Sequence, residues 1–340
     1  MNTYRTADLS LPFARAVHPW SGRAQESTES WARRCGLLRS PEAVAAFRAL
    51  GYGRLMSTLC PYAPFDGLSL VTDWNSLFFV TDDQQNVACA TGRADRYEEL
   101  VASMRRIVGG DVRPTAHDRH PLVVALRDLL RRSLPGRPGH WVARFRRHLE
   151  RWLDGHLREN AHRTGGTVPG PDEYVLLRRD ASTVLPTLDL VELVEGAEVP
   201  ERLYLSPQYQ TLVLGTADVM CWVNDIHSWH MERGDPMNLV TVLDRHLGLG
   251  TQRAVDAVAA RVAGRVADLL AATRSLPAAM DELGVSAADQ GAVMRCVRDQ
   301  QSWAASMETW DRTDTIRFAD AGSPGAGRVA PYVEDLLPDT

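Results

Sequence analysis

The stretch PQYQTLVLGTADVMCWVNDIHSWHMER occupies residues 207–233, and it is long, predominantly apolar and free of proline after its first residue. This pattern predicts a buried helix of the core, which Pro236 ends. Asn224, Ser228 and Glu232 recur at intervals of four residues, so each is displaced by only about 40° from the one before on an α-helix. An amide oxygen, a hydroxyl and a carboxylate therefore form one polar stripe on an apolar helix.

Helical periodicity dominates the rest of the chain as well, and segments that alternate in the manner of strands are hard to find. A helix over 173–182 is predicted to break near Ser182 and Thr183, and a second helix follows over 185–194. The sequence therefore predicts an all-α fold. Further helices are predicted over 68–86, 96–107, 119–132, 140–160, 251–275 and 287–310.

The composition is that of a globular chain, with 44% hydrophobic and 24% charged residues in 340, and it supplies enough apolar mass for a sizeable core. No composition break or linker divides the sequence. We therefore predict a single all-α domain over 1–340, with an N-terminal segment at 1–25 and a flexible Gly/Pro/Asp-rich tail at 319–340.

All 38 basic residues are arginine, and the chain contains no lysine. This excludes functions that need a side-chain amine, such as Schiff-base aldolases, pyridoxal-phosphate enzymes, P-loop NTPases and protein kinases. Any phosphate that the protein binds must be held by arginine, metal or backbone. The net charge of −5 argues against a general attraction to nucleic acid.

The sequence also carries no signal for export, membrane insertion or disulfide formation. The first twenty residues lack the apolar run of a signal peptide, and nothing approaches the roughly 18 consecutive apolar residues of a membrane span. The 5 cysteines are scattered and never form a CxxC pair, so neither a disulfide framework nor a zinc framework is predicted. We therefore expect a cytoplasmic protein.

A second acidic site is the sequence FFVTDDQQN at residues 78–86, where two aspartates follow directly on an apolar helical stretch. Adjacent helical residues point about 100° apart, so Asp82 can face a cavity while Asp83 lies at its shoulder. Oxygen ligands of this kind suit Mg²⁺. Taken alone, such a pair more often marks a solvated helix end.

Together, FFVTDD and NDIHSWHME resemble the aspartate-rich motif and the NSE triad of bacterial class I terpene synthases. Their order, their separation of about 140 residues and the chain length are similar to those of that family. Arg178 lies 46 residues before Asn224, at the position of the family's diphosphate-sensing arginine. Trp303, Trp310 and the pair Arg317-Phe318 resemble the tryptophan-bearing helix and Arg-Tyr pair near the family's C-terminus.

The resemblance implies a helical bundle around a central cavity and the Mg²⁺-dependent ionisation and cyclisation of a linear isoprenyl diphosphate, with release of diphosphate. Farnesyl diphosphate is the favoured substrate, geranylgeranyl diphosphate is the alternative, and a homodimer is the candidate assembly. Such an enzyme belongs to bacterial secondary metabolism. By analogy, three Mg²⁺ ions are held by Asp82, Asp83, Asn224, Ser228 and Glu232. The diphosphate is bound by Arg178 and Arg317, and the substrate pocket is lined by Phe78, Phe79, Ala181, Ser182 and Trp310.

Several positions depart from the family pattern. Asn86 ends the aspartate-rich motif where family members carry Asp or Glu, and Phe318 replaces the tyrosine of the Arg-Tyr pair. Ala181 and Ser182 fall at the linker and effector positions, where Asp or Thr followed by Gly is commoner. These departures predict a divergent or weakly binding member of the family.

Met231 is a further departure, because a diphosphate-binding lysine often precedes the glutamate of the triad. A chain without lysine needs another cation at this point. Arg179 and Arg233 are the candidates that the sequence offers.

Other functions fit the sequence less well. A chain-elongating prenyltransferase would need a second DDxxD motif, and a protonation-initiated cyclase would need a DxDD motif, and both are absent. A helical binding module that uses the arginine face at 131–151 on nucleic acid or a partner remains as an alternative from a different class. His227 and His230 lack the HExxH context of a zinc site, so helix packing is the simpler interpretation.

Overall fold

A computed structural model describes residues 4–5, 9, 11–315 and 334–337, without the side chains of residues 312 and 313. Within these residues the regular structure is helical and no strand occurs, which confirms the predicted all-α fold. None of the described helices is both long and apolar enough to cross a membrane. The helices are α1 Ser21–Arg34, α2 Pro41–Leu50, α3 Tyr52–Leu59, α4 Phe65–Thr91, α5 Ala94–Val108, α6 Pro121–Ser133, α7 Gly139–Gly165, α8 Pro171–Ala181, α9 Val184–Val194, α10 Glu201–Tyr204, α11 Pro207–Ser228, α12 Leu239–Leu247, α13 Thr251–Glu282 and α14 Ala287–Thr309, and a π-helical turn follows at Trp310–Asp314.

The predicted core helix is α11, which packs along α13 and also contacts α8, α9, α12 and α14. Ala217, Val219 and Val223 on α11 are completely buried. Gly215 permits the close approach of α13, because a Cβ there would lie 2.8 Å from Leu269 Cδ2. The apolar character of this helix on all sides follows from its position between the other helices.

The predicted end of this helix is wrong. It ends at Ser228, and a series of turns occupies the next residues, so Glu232 does not lie on the helix. The backbone N–H of Glu232 still donates to Ser228 O at 3.1 Å and to Trp229 O at 3.2 Å, which keeps the carboxylate about one turn beyond Ser228. Gly234, at φ 83°, completes the turns before Pro236 is reached.

The predicted helix break is present. Ser182 adopts an extended conformation, with φ −72° and ψ 154°, between the end of α8 and the start of α9. Helix α7 packs directly against this break, because a Cβ on Gly155 would lie 2.6 Å from the backbone of Ala181. The absence of a side chain at Gly155 therefore sets how closely α7 approaches the end of α8.

Helices α1, α2 and α3 are not predicted, and the predicted N-terminal segment of 1–25 overlaps the start of α1 at Ser21. Local signals for α2 are nevertheless present. The Ser40 hydroxyl caps it by accepting from Ala43 N at 3.1 Å, and Pro41 occupies its first turn. The predicted helix over 251–275 is also too short, since α13 continues through Pro277 to Glu282.

The C-terminus differs from the predicted flexible tail at four residues. Leu336 and Leu337 are 3% and 5% exposed, and residues 334–337 pack against the helices. The remainder of 319–340 lies outside the described residues.

Candidate active site

A cavity opens between α4, α7, α11, α14 and the break that joins α8 to α9. Its polar side chains come mainly from the two sequence motifs, since Asp82, Asn224 and Glu232 all line it. Its apolar wall is built largely from aromatic and sulfur-containing side chains. The predicted site residues that line the cavity are Phe78, Phe79, Asp82, Arg178, Ala181, Ser182, Asn224 and Glu232.

The two aspartates of α4 differ in their surroundings. Asp82 lines the cavity, and its Oδ2 accepts a long hydrogen bond of 3.4 Å from Asn86 Nδ2. Asp83 does not line the cavity and is 1% exposed, so this pair does not mark a solvated helix end. Asn86, the departure at the end of the motif, therefore contacts the first aspartate directly.

Two of the triad residues, Ser228 at the end of α11 and Glu232 in the turns after it, are joined by a hydrogen bond, and Asn224 is bonded to Arg178. Ser228 Oγ donates to Glu232 Oε2 at 2.9 Å, and Asn238 Nδ2 donates to the same oxygen at 3.1 Å. Asn224 Oδ1 accepts from Arg178 Nη2 at 2.9 Å. Ser228 is fully buried and does not itself line the cavity.

These groups suit a hard cation better than a soft one, because each offers an oxygen ligand. Within the described part of the chain, no three His, Cys, Asp or Glu side chains converge as a metal site. A metal at this cavity would therefore need oxygen ligands of other kinds beside the carboxylates, such as the Asn224 amide. Such a donor set leaves coordination positions for water or for a phosphate.

Arg178 is held at the cavity by the residue that follows Asn224. Its guanidinium contacts Asp225 Oδ1 at 3.1 Å, and Tyr174 OH donates to Asp225 Oδ2 at 2.6 Å. Burial raises the pKa of Asp225 to about 6, while Arg178 acts in the opposite direction. Asp225 therefore orients Arg178 and keeps it close to Asn224.

The candidates for the missing cation do not line the cavity. Arg179 makes two short bonds to Asp218, at 2.6 and 2.7 Å, and Arg233 lies over the Trp229 ring at 5.1 Å. Neither side chain replaces the contact of a lysine at Met231 in this arrangement.

The sequence does not single out Arg163, which links α7 to the turns that follow Glu232. Arg163, near the end of α7, lies 3.4 Å from both Glu159 Oε2 and Asp235 Oδ1. Burial disfavours its charged form, but Glu159, Asp235 and Asp82 together hold its pKa above the ordinary range. The one available signal is the spacing of four residues between Glu159 and Arg163 on a helix.

The aromatic wall has two layers. Phe78 and Phe79 line the cavity, whereas Trp310 packs against Phe79 with ring centroids 5.8 Å apart and does not line it. Trp303 lines the cavity instead, so the predicted pocket role of Trp310 is corrected to one behind Phe79. Arg317 and Phe318 lie outside the described residues.

His156 is a further cavity residue that the sequence does not single out. Its Nε2 accepts from Trp152 Nε1 at 2.9 Å, and its Nδ1 lies 2.7 Å from Tyr97 OH. This pattern assigns the proton of the neutral ring to Nδ1. Because burial lowers the pKa of His156, the ring adds no positive charge to the cavity wall.

Comparison with known proteins gives a consistent result. A family model described as terpene synthase family 2, C-terminal metal binding, matches residues 73–268. Pristinol synthase from Streptomyces pristinaespiralis is 32% identical over 339 residues, covering 97% of this chain and 90% of the relative. A (+)-T-muurolol synthase from Roseiflexus castenholzii, named as (2E,6E)-farnesyl diphosphate cyclizing, is 29% identical over 317 residues and covers 92% and 94%. The crystal structure of linalool/nerolidol synthase from Streptomyces clavuligerus has a TM-score of 0.81 at 25% identity, covering 89% of this chain and 99% of that one.

The matched region spans more than half of the chain and includes both acidic motifs. The description of that family as metal-binding implies that the enzyme depends on a divalent metal. The resemblance found in the sequence is confirmed by these relatives and by the shared all-α fold. The chain therefore belongs to the terpene synthase family, and it is an enzyme of that class.

Proposed function

We propose that the protein ionises and cyclises farnesyl diphosphate in a Mg²⁺-dependent reaction and releases diphosphate. The observation that carries this proposal is the meeting of Asp82, from α4, with Asn224 and Glu232, from α11 and the turns after it, at one aromatic-walled cavity. An allylic diphosphate needs this combination, because its leaving group is anionic and the rest of the molecule is apolar.

The proposed metal ligands are Asp82, with Asp83 as a neighbour, and the oxygens of Asn224, Ser228 and Glu232. When bound, Mg²⁺ would stabilise the negative charge that develops on the departing diphosphate. Three ions are proposed by analogy with the family. Asn224 Oδ1 and Glu232 Oε2 each accept a hydrogen bond within the protein, and the remaining lone pairs of the amide and of the carboxylate would be available to a metal.

Arg178 is the proposed diphosphate ligand within the described residues, and Arg317 is proposed as a second. Asp225 Oδ1 holds the guanidinium of Arg178 through Nε at 3.2 Å and Nη2 at 3.1 Å, and the N–H of Nη2 that now bonds Asn224 would bond a phosphate oxygen instead. A planar guanidinium binds phosphate oxygens well and keeps its charge at every relevant pH.

The apolar wall would protect and steer the carbocation left by ionisation. The faces of Phe78, Phe79 and Trp303 can each stabilise a cation by about 0.5–2 kcal/mol. The neutral ring of His156 avoids a repulsive charge in the same wall. Exclusion of water by these side chains would favour cyclisation over early capture of the cation.

The choice of farnesyl diphosphate is supported by the relative from Roseiflexus castenholzii, whose name specifies that substrate. Purified protein should be incubated with geranyl, farnesyl and geranylgeranyl diphosphates in Mg²⁺, and the hydrocarbon products identified by mass spectrometry. We expect cyclic fifteen-carbon products that disappear on addition of EDTA. Products from geranylgeranyl diphosphate alone would identify the diterpene alternative instead.

The alternative of a helical binding module is weakened by how its arginines are used. Arg144 is buried between Asp189 and Glu192, and Arg151 pairs with Asp180, so much of the charge at 131–151 is compensated within the protein. Binding of DNA at physiological salt by a protein without diphosphate-releasing activity would favour that alternative.

A further inference from the structure

The aspartate pair of α4 is followed by two glutamines, Gln84 and Gln85, both completely buried. Gln85 Nε2 donates to His156 O and to Asn160 Oδ1, each at 3.0 Å, which fixes this turn of α4 to α7. Gln84 makes its bonds to a part of the chain about 250 residues away. The turn that carries Asp82 is therefore held by two amides with different partners.

The partner of Gln84 is the stretch Glu334–Leu337, which we call the C-terminal anchor. Gln84 Nε2 donates to Glu334 O at 2.9 Å, and Leu336 N donates to Gln84 Oε1 at 2.7 Å. One side-chain amide thus pairs with the anchor backbone in the way that a neighbouring strand would. Both polar ends of a fully buried side chain are satisfied by this single contact.

The anchor also holds two helix starts next to α4. The Glu334 carboxylate accepts from Arg39 N at 3.0 Å and Ser40 N at 2.8 Å, at the N-terminus of α2. Leu336 O lies 2.7 Å from Nε2 of His120, whose Nδ1 accepts from Leu122 N at the start of α6. Because Nδ1 is an acceptor, Nε2 carries the proton and donates to Leu336 O.

The anchor is packed as well as hydrogen-bonded. Leu336 and Leu337 are 3% and 5% exposed, and Asp335 pairs with Arg93 just beyond the end of α4. Removal of the anchor would take both of these hydrogen bonds from Gln84 and would expose to water the apolar surface that Leu336 and Leu337 cover, which costs free energy. The anchor therefore ties α2, α4 and α6 together at one place.

The position of this contact on α4 connects it to the site. Residues two apart on an α-helix point about 200° apart, so Gln84 faces away from the cavity that Asp82 lines. The anchor thus supports α4 from behind at the turn that presents the proposed metal ligand. Metal sites need their ligands held to within about 0.5 Å, so support at this turn affects binding.

We propose that the C-terminal anchor is a positioning element for the site, which fixes the turn of α4 that carries Asp82 so that magnesium and diphosphate can bind. The proposal rests on the proposed function, because it concerns the same metal–diphosphate site. Gln84 acts through the helix and touches neither metal nor substrate.

The test compares the full chain with a chain that ends at Val333, which lacks the anchor, and a control that ends at Leu337, which keeps it. Binding of Mg²⁺ with inorganic diphosphate is measured by isothermal titration calorimetry, and helicity by circular dichroism. We expect the chain ending at Val333 to remain helical but to bind about tenfold more weakly, as for a binding-competent conformation whose population falls tenfold. The control should bind as the full chain does.

Addition of the synthetic peptide VEDLLPDT, residues 333–340, should restore tight binding to the chain that ends at Val333. A purely structural contact would lower the melting temperature without changing the dissociation constant. Equal binding by the full chain and the helical chain ending at Val333 would overturn the anchor proposal while leaving the proposed function intact. Absence of binding by the full chain would overturn both.

Gln84→Met in the full chain provides a second measurement if the shortened chain fails to fold. It removes both hydrogen bonds to the anchor and keeps a side chain of similar length. Ala90→Ser, at an exposed position near the end of the same helix, is the matched control. We expect weaker Mg²⁺–diphosphate binding for Gln84→Met alone, and unchanged binding in both variants would contradict the proposal.

Discussion

Asp225 helps to orient Arg178 through contacts with its Nε and Nη2 atoms. It is completely buried, and its two oxygens are divided between partners, with Oδ1 facing Arg178 and Oδ2 accepting from Tyr174 OH and Leu239 N. A buried carboxylate is tolerated when it is paired and hydrogen-bonded in this way. The proposed diphosphate contact therefore depends on a tyrosine that never reaches the cavity.

Tyr174→Phe tests this dependence. Loss of the 2.6 Å bond to Asp225 leaves a buried oxygen with one fewer donor, so the free energy of unfolding should fall by about 1–3 kcal/mol. Turnover should also fall, because Arg178 loses its fixed orientation. Urea denaturation and steady-state kinetics measure the two effects, and Tyr62→Phe, at a side chain 64% exposed, is the control. Unchanged turnover in Tyr174→Phe would show that Asp225 orients Arg178 without help.

Arg163→Met tests the link between α7 and the turns after Glu232. The substitution leaves Glu159, which is 4% exposed, and Asp235 without their shared cation, and we expect a loss of about 1–3 kcal/mol in the free energy of unfolding. Thermal or urea denaturation measures it.

Arg158→Met is the matched control for Arg163→Met, since Arg158 lies on the same helix and pairs with Asp180 while 47% exposed. Its effect should stay within about 0.5 kcal/mol. Adding Glu159→Gln to Arg163→Met should recover part of the lost stability. If the double variant lost as much free energy of unfolding as the two single variants lose together, the pairing of Glu159 with Arg163 would be contradicted.

At the scale of elements, the contact between α7 and the break before α9 determines the shape of the cavity. Ala181, Ser182, Thr183 and Val184 line the cavity at this break, and Gly155 on α7 lies directly behind Ala181. A change on α7 can therefore alter the cavity without replacing a residue that lines it.

Gly155→Val should push α7 away from the break, because even a Cβ there would lie 2.6 Å from the Ala181 backbone. Overpacking of this kind costs about 1–3 kcal/mol of stability. We also expect altered product proportions, measured by gas chromatography with mass spectrometry. Gly139→Val, at a glycine of the same helix with open space around it, is the control. An unchanged product profile in a folded Gly155→Val protein would contradict the proposed role of the break.

The elements differ in how well the sequence predicts them. Helices α4 and α11 follow from periodicity, and the motifs on them from the spacing of a few residues, because both depend on local geometry. Helix α11 ends earlier than predicted, since turns after Ser228 are set by contacts with later residues such as Asn238. The C-terminal anchor was not predictable, because its bonds join residues about 250 positions apart.

In the candidate site, likewise, local sequence geometry predicts some residues, and the packing of whole helices determines others. Asp82, Asn224 and Glu232 reach the cavity as predicted, although their roles as ligands stay predictions. His156 was missed, and Trp303 was matched to the tryptophan-bearing helix but not to the pocket, because the face that α7 or α14 turns toward the cavity depends on how whole helices pack. A single sequence gives the period of a helix but not its rotation in the fold.

At the scale of the whole molecule, the two acidic motifs come from helices that are distant in sequence and meet only in the folded chain. Asp82 and Glu232 are 150 residues apart, and the unfolded chain cannot hold them at one ion. Magnesium and diphosphate should therefore bind the folded state far better than the unfolded state, and such binding stabilises the fold. The single domain over 1–340 remains a prediction, and a single cooperative transition would support it.

Mg²⁺ and inorganic diphosphate together should raise the melting temperature. At a ligand concentration 100 times its dissociation constant the stabilisation is about 2.7 kcal/mol, which corresponds to roughly 4 °C for a chain of this size. Either component alone should give a smaller shift in melting temperature. Mg²⁺ supplies the positive charge that balances diphosphate, and diphosphate supplies the negative charge that balances Mg²⁺. Differential scanning fluorimetry measures the shift, and Asp82→Asn or Glu232→Gln should abolish the joint effect while leaving the unliganded protein folded. A full joint shift in both variants would place the metal and diphosphate elsewhere in the molecule.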